Sequence, residues 1–334
     1  MEYHLHVADK LSGQIQKEYT DFLSRCGLRD EKNTDYTVLY QDEDDKILAC
    51  GSLRGNVLMQ IAVAPEAEGE GLCAIIVSEL ISAAVSRGDQ HLFLYTKPKN
   101  EKMFAGLGFY PIVSTDDILL MENRRSGFSS FLSDLPHLEG RVGAIVCNCN
   151  PFTLGHYHLI ETASKECDQV LVFVVSEDLS LFPAEIRYEL VRSGTSQLKN
   201  VLVVHSSDYL ISRSTFPTYF VKEEARCEDV ACVLDIMLFA KRIAPELGIS
   251  VRYVGQEPFD PVTRRYNEQM KHILPDYGIA LREIPRYKDI SATQVRRLLK
   301  EGRFEEAKRY LPENTYEYCK CHFGTGSGFS GKTR

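Results

Sequence analysis

Two short stretches in the second half of this 334-residue sequence combine residue types that handle phosphate. The first is Cys147-Asn148-Cys149-Asn150-Pro151-Phe152-Thr153-Leu154-Gly155-His156. The apolar run VGAIVCN leads into it and the amphipathic run GHYHLIETASKE leads out, so it reads as strand, polar turn and helix start. A helix N-terminus presents unpaired N–H groups and a partial positive charge, which together favour an anion. Gly155 lets a ligand come close to the backbone. His156 falls in the first helical turn, where a ring nitrogen can reach a phosphate oxygen, and Thr153 adds a hydroxyl. The second stretch is Ile290-Ser291-Ala292-Thr293-Gln294-Val295-Arg296. Ser291 followed by Gln294 fits a capping box. That pairing leaves Thr293 and Arg296 unexplained, and Arg296 can offer a bidentate fork to a β- or γ-phosphate. His158 does not share the helix face of His156 and is expected to be structural or substrate-facing. Cys147 and Cys149 are expected to be small buried hydrophobes.

These residues need a scaffold. From residue 142 the order is repeatedly strand then helix: VGAIVCN, a helix, QVLVFVV, the helix AEIRYELVRSG, NVLVVH, a long helical stretch broken at Pro245, SVRYVG, GIALREIP and the helix SATQVRRLLKEG. Near-continuous apolar strands alternating with helices predict a parallel sheet covered on both faces. Ligands bind such sheets beyond the carboxyl ends of the strands. Arg264, Arg265 and Lys271 fall in a helix after the strand ending at Val254-Gly255; a solvated basic face is the default there, and a cradle for phosphate or carboxylate is the functional alternative. Arg213 and Lys222 carry the same two readings.

The first half reads differently. A helix runs from Ser12 to Gly27, and DYTVLY and ILACGSLRG flank an acidic turn as a hairpin. VLMQIAVAP is a strand, GLCAIIVSELISAAVSRG a helix, HLFLYT a strand, then a short helix ends at Ala105-Gly106 before the strand FYPIV. The polar, turn-rich segment 123–141 separates the two regions and reads as a linker. The expected divisions are 1–122, 123–141, 142–318 and a disordered tail over 319–334.

Composition narrows the class. Hydrophobic residues are 44% and charged residues 26%, an ordinary globular balance, and the length suggests about two domains. No apolar run is long enough for a membrane helix and no secretory signal is visible, so a cytoplasmic protein is expected. A formal charge of −8 argues against non-specific nucleic-acid binding. The ten cysteines form two C-x-C pairs, which lack the spacing and repetition of a zinc site, and no metal ligands are assigned. The tail Gly326–Thr333 matches a P-loop pattern without the flanking strand and helix that a P-loop needs.

Thr153-Leu154-Gly155-His156 and Ile290 to Arg296 resemble the two hallmarks of the HxGH nucleotidylyltransferase superfamily, His/Thr-x-Gly-His after the first strand and I-S-x-T-x-x-R near the end. The resemblance implies a Rossmann-like α/β domain that attacks the α-phosphate of ATP and expels pyrophosphate. It assigns His156, Thr153 and Arg296 to catalysis and Phe152, Gly155, Ser291, Thr293 and Gly255 to nucleotide binding. Mg²⁺ is expected as the phosphate counter-ion. The first half resembles a GNAT acetyltransferase domain through VLMQIAVAP, Glu68-Gly69-Glu70-Gly71 opening a helix, and Asn100 to Phe109. Glu66, Glu68 and Glu70 crowd its anion-binding turn and disfavour a diphosphate there.

The pairing of a GNAT-like α+β domain with this Rossmann-like domain, together with Glu257 to Asn267 and Thr215 to Phe220, resembles the citrate lyase ligase family. That resemblance implies AMP-forming activation of acetate as acetyl-adenylate. The acetyl group would then pass to the thiol of a CoA-like prosthetic group on the citrate lyase acyl-carrier subunit. Two other readings fit the ATP motifs: a nucleotidylyltransferase acting on a phosphorylated pantetheine- or nicotinamide-type acceptor, and a non-catalytic regulator that binds nucleotide and acyl-CoA.

Overall fold

The computed structural model describes residues 4–31, 33–176, 180–210, 219 and 224–324. The P-loop-like tail, Arg213, Lys222 and all of Thr215 to Phe220 except Tyr219 lie outside the described residues. The chain divides into two compact units, one of Met1–Ser130 with Arg213–Leu238 and one of Phe131–Ser212 with Phe239–Arg334.

The N-terminal unit holds β1 (His4–Ala8), α1 (Gly13–Arg25), β2 (Tyr36–Gln41), β3 (Ile47–Arg54), β4 (Val57–Val63), α2 (Leu72–Ser86), β5 (Phe93–Thr96), α3 (Glu101–Ala105), β6 (Tyr110–Ser114) and β7 (Leu119–Glu122). Its seven strands form one mixed sheet in the order β1-β2-β3-β4-β5-β7-β6. β4 and β5 run parallel; the other neighbours are antiparallel. α1 buries Tyr19, Phe22 and Leu23 at helical spacing and ends before Gly27, whose φ of 71° suits glycine. α2 buries Leu72, Ile76, Val77, Leu80, Ala83 and Ala84. Gly51 on β3 is the close-approach point: a Cβ there would lie 2.6 Å from Ile76 and 2.8 Å from Leu80. β1 and β7 were not expected from sequence; both are short, and their pairing partners β2 and β5 supply what their own pattern lacks.

The C-terminal unit answers to the strand–helix alternation. After α4 (Gly127–Ser133) come β8 (Val142–Cys147), α5 (Leu154–Glu166), β9 (Gln169–Val174), α6 (Ala184–Gly194) and β10 (Val201–His205). α7 (Glu224–Leu238) is followed by a π-helical turn at Phe239–Ile243, the single helical turn α8 (Ala244–Glu246), β11 (Ile249–Gly255), α9 (Pro261–Ile273) and β12 (Ala280–Ile284). α10 (Ala292–Lys300), α11 (Phe304–Ala307) and α12 (Glu313–Phe323) complete the chain. The five strands are parallel, in the order β10-β9-β8-β11-β12. Val170, Leu171, Val172 and Phe173 are fully buried, as strands covered on both faces must be. Successive strands run outward from β8 to β9 and β10 on one side and to β11 and β12 on the other. The order therefore reverses between β8 and β11, and the crevice beyond their carboxyl ends is where such a sheet takes a ligand.

Three stretches differ from the sequence reading. Helix α4 lies within the expected linker. Helix α7 (Glu224–Leu238) clusters with the N-terminal unit rather than with the parallel sheet, although it lies between β10 and β11 in sequence. The tail begins later than 319, because α12 buries Thr315, Tyr316, Cys319 and Phe323.

Gly51→Ala is expected to cost about 1–3 kcal/mol, since Ile76 and Leu80 are fully buried and have little room to yield. A urea titration of the two proteins, compared at equal slope, measures it.

Candidate active site

The turn after β8 folds back on helix α5 through a capping box. Thr153 is the N-cap, and its Oγ1 accepts from the backbone N–H of His156 at 3.4 Å. The backbone N–H of Thr153 donates to Nδ1 of His156 at 3.1 Å, and Thr153 Oγ1 lies 2.9 Å from the same nitrogen. The three-residue spacing of Thr-x-Gly-His is therefore the spacing from N-cap to third helical residue. A backbone N–H can only donate, so Nδ1 is an acceptor and the proton of the neutral ring resides on Nε2. Burial, with the charge of Arg286 as the second cause, pulls the imidazole down from 6.5 to about 4. At neutral pH His156 is a fixed, uncharged hydrogen-bond donor.

Thr153 is only 2% exposed, and its hydroxyl is taken up by the imidazole and the helix start. In this arrangement it orients His156. Phe152 also departs from expectation. It is fully buried, its ring centroid lies 6.3 Å from that of His156, and a Cβ on Gly194 would meet it at 2.6 Å. Phe152 packs in the core under the turn, which leaves its backbone as the part that could meet a nucleotide. Gly155 has only ordinary neighbours for an added Cβ, Thr153 Oγ1 at 3.5 Å and Ile290 Cβ at 3.7 Å. Packing within the protein does not demand glycine there. Gly255 ends β11 with open space at its Cα, and its carbonyl accepts from Asn267 Nδ2 at 3.1 Å.

The second motif comes to the same place. Arg296 on α10 donates through Nη1 to the carbonyl of Asn150, 146 residues earlier, and through Nη2 to Thr293 Oγ1 at 2.9 Å. Ile290 stands beside Gly155. Ser291 is the N-cap of α10, but its side chain makes no cap bond, and Gln294 turns to the Tyr310 hydroxyl at 3.3 Å. The capping box expected at Ser291/Gln294 is not formed. The first-turn N–H groups of α10, which no side chain caps, sit next to the exposed Thr293 and the half-buried Arg296.

Several residues around the turn had no reading in the sequence. Arg187 of α6 is fully buried and donates to the carbonyls of Phe182 (2.9 Å), Asn148 (2.9 Å) and Val175 (2.6 Å) and to Asn148 Oδ1 (2.7 Å). It ties the ends of β8 and β9 together under the turn. Its signal was present: Arg187, Leu190 and Val191 fall at the i, i+3, i+4 positions of the buried face. Arg286, between β12 and α10, bridges Glu257 (2.9 Å) and the Ile290 carbonyl (3.2 Å). His158 stacks on Tyr287 with centroids 4.8 Å apart. Cys149 is buried and donates to Cys147 across 3.2 Å; burial pushes its thiol well above the usual range, so it is held as a thiol. Lys271 is paired with Glu268 (2.8 Å) and Glu283 (3.2 Å). In the N-terminal unit, Glu66 of the crowded turn is engaged by Lys46 at 2.8 Å. No group of three or more His, Cys, Asp or Glu side chains among the described residues could hold a metal ion, and no described helix is long and apolar enough to cross a membrane.

The sequence from 142 to 319 matches the family model described as "Citrate lyase ligase C-terminal domain". The chain is 38% identical over 321 residues to citrate (pro-3S)-lyase ligase of Klebsiella pneumoniae, covering 92% of this chain and 94% of that protein. It is 38% identical over 288 residues to the ligase of the same name from Escherichia coli, covering 82% of each. A shorter stretch of 115 residues, 33% of this chain and 70% of the other, is 29% identical to phosphopantetheine adenylyltransferase of Streptococcus gordonii. A full-length likeness at this identity, together with a model covering more than half of the residues, places this chain in the citrate lyase ligase family.

Proposed function

We propose that this chain activates acetate with ATP and passes the acetyl group to the thiol of a CoA-like prosthetic group on the citrate lyase acyl carrier. In the first step an acetate oxygen attacks the α-phosphorus, the bond to the bridging β-oxygen breaks, and pyrophosphate leaves. In the second step the carrier thiol attacks the acetyl carbonyl and AMP leaves. A carboxylate is a poor acyl donor until its oxygen becomes a good leaving group, which is the reason for the adenylate. The observation that carries the reading is the convergence of the two motifs at the β8/β11 crevice, joined by Arg296 and the Asn150 carbonyl.

In-line transfer at phosphorus asks mainly for positioning and neutralised charge. His156 Nε2–H is suited to hold an α-phosphate oxygen. Ser291, Thr293, Arg296 and the first-turn N–H groups of α10 are suited to the β- and γ-phosphates, where charge grows as pyrophosphate departs. Mg²⁺ would enter as the partner of the triphosphate. The described residues offer no carboxylate cluster for it, so no step is assigned to a protein-held metal. The partial likeness to an adenylyltransferase favours the same first half-reaction with a phosphate acceptor. Incubation with ATP, Mg²⁺ and labelled acetate, with and without deacetylated citrate lyase, separates the two. AMP and pyrophosphate with labelled carrier support the ligase; pyrophosphate with an adenylylated phosphate ester supports the alternative.

His156→Ala is expected to lower kcat by about 10²-fold or more. The pH profile of the wild-type adenylation step should lack an inflection near 6.5, because the folded ring stays neutral to about 4. The unfolded chain takes up that proton first as pH falls. Stability linked to His156 is thus complete above about 6.5 and declines toward 4. A histidine Cε1–H titration by NMR, assigned through His156→Ala, reads the value directly.

Gly155→Ala should leave the thermal midpoint essentially unchanged, since its Cβ finds only van der Waals neighbours. Its KM for ATP should rise about tenfold, the size of a 1.4 kcal/mol loss. Equal loss of stability and binding would mean that Gly155 is needed by the fold itself.

A further inference from the structure

Joining acetate to ATP brings a carboxylate against a phosphate, and two anions need a positive charge between them. The residues already placed do not supply it. His156 is neutral, and Arg296 is directed to the Asn150 carbonyl and Thr293, on the side suited to pyrophosphate.

Arg286 is a further cation beside these residues, paired with Glu257. It lies in the loop between β12 and α10, four residues before Ile290. Its Nε donates to the Ile290 carbonyl at 3.2 Å and its Nη1 to Glu257 Oε1 at 2.9 Å. The pair is largely withdrawn from water, with side chains 17% and 22% exposed. The Phe259 ring lies over the guanidinium at 5.2 Å and is itself 73% exposed, a large apolar surface in the loop after β11. Glu257 Oε1 also accepts from the backbone N–H groups of Phe259 and Asp260, both at 3.2 Å, so the carboxylate is fixed by its own turn. The guanidinium is therefore held on two sides and covered on one face. Among the described residues its Nη2 meets no acceptor, and a guanidinium fork with one free edge is matched to a carboxylate. Ile290, whose carbonyl Arg286 holds, stands beside Gly155, next to His156 in the turn.

We propose that Arg286 is the acetate-binding residue of the first half-reaction, taking the substrate carboxylate on its free Nη2 edge, with Glu257 and Phe259 fixing the plane of the guanidinium. The inference rests on the ligase reading above.

The test is acetate-dependent exchange of labelled pyrophosphate into ATP by the full-length chain, with KM for acetate and for ATP measured separately for wild type, Arg286→Gln and Arg286→Lys. The expected result is a rise in the acetate KM of at least about tenfold for Arg286→Gln and a smaller rise for Arg286→Lys, with the ATP KM within twofold of wild type. Arg286→Lys keeps the charge and most of the packing, so the comparison survives if the glutamine variant folds poorly. An unchanged acetate KM overturns the subsite and leaves the ligase reading standing. A parallel rise of both KM values also overturns it, and makes Arg286 a prop for α10 through Ile290. Wild-type protein without acetate-dependent exchange overturns the ligase reading and the subsite together.

Discussion

The imidazole of His156 is held by the helix to which it belongs. The Thr153 backbone N–H donates to its Nδ1, and the Thr153 hydroxyl stands between ring and helix start. That one contact fixes where the ring points and which nitrogen carries the proton, while burial, with the charge of Arg286 second, keeps the ring from taking a second one. The remaining electrostatics of the crevice follow. Under the ligase reading, a neutral donor at the α-phosphate leaves positive charge to come from Arg286 and Arg296.

Parallel topology brings those flanks together. Each strand delivers its following loop to the same edge of the sheet, and the reversal of order between β8 and β11 leaves a gap that three loops line. The loop after β8 bears Asn148 to Thr153, the loop after β11 bears Glu257 and Phe259, and the loop after β12 leads through Arg286 into α10. Polar side chains then lock the loops to one another. Arg187 binds carbonyls at the ends of β8 and β9 from below, Arg296 ties α10 to Asn150, and Arg286 ties the β11 loop to Ile290. Three guanidiniums clasp backbone carbonyls here because arginine offers several directed donors and keeps its charge when partly buried.

The parallel sheet was legible in the sequence, since it depends on local pattern: apolar runs of strand length, helical spacing, and turns at strand ends. What was misread turned on which local bond wins. The capping box was assigned to Ser291 and Gln294, whose residue types fit it, yet Gln294 finds Tyr310 instead. The box forms at Thr153 and His156, where imidazole nitrogen does what a glutamate oxygen usually does. Phe152 sits inside the motif but faces the core, because a side chain next to a functional turn still has to be buried somewhere. Arg286 and Arg187 carry no motif, and their partners lie 29 and 39 residues away along the chain. The grouping of α7 with the N-terminal unit and the helices at 127–133 and 313–323 likewise rest on tertiary contacts that a one-dimensional pattern does not hold.

Under the ligase reading, a neutral donor at the α-phosphate is a better arrangement than a cation would be. Attack at the α-phosphorus changes the charge on its non-bridging oxygens less than it changes the charge on the departing bridge, which becomes part of pyrophosphate. A cation on the α-phosphate would stabilise bound ATP nearly as much as the transition state, and uniform stabilisation of that kind does not raise the rate. Charge aimed at the departing oxygens is felt most when the bond breaks. The uncapped start of α10, with Thr293 and Arg296 beside it, is suited under this reading to hold those oxygens, and a His156 kept neutral by its burial leaves that bias intact.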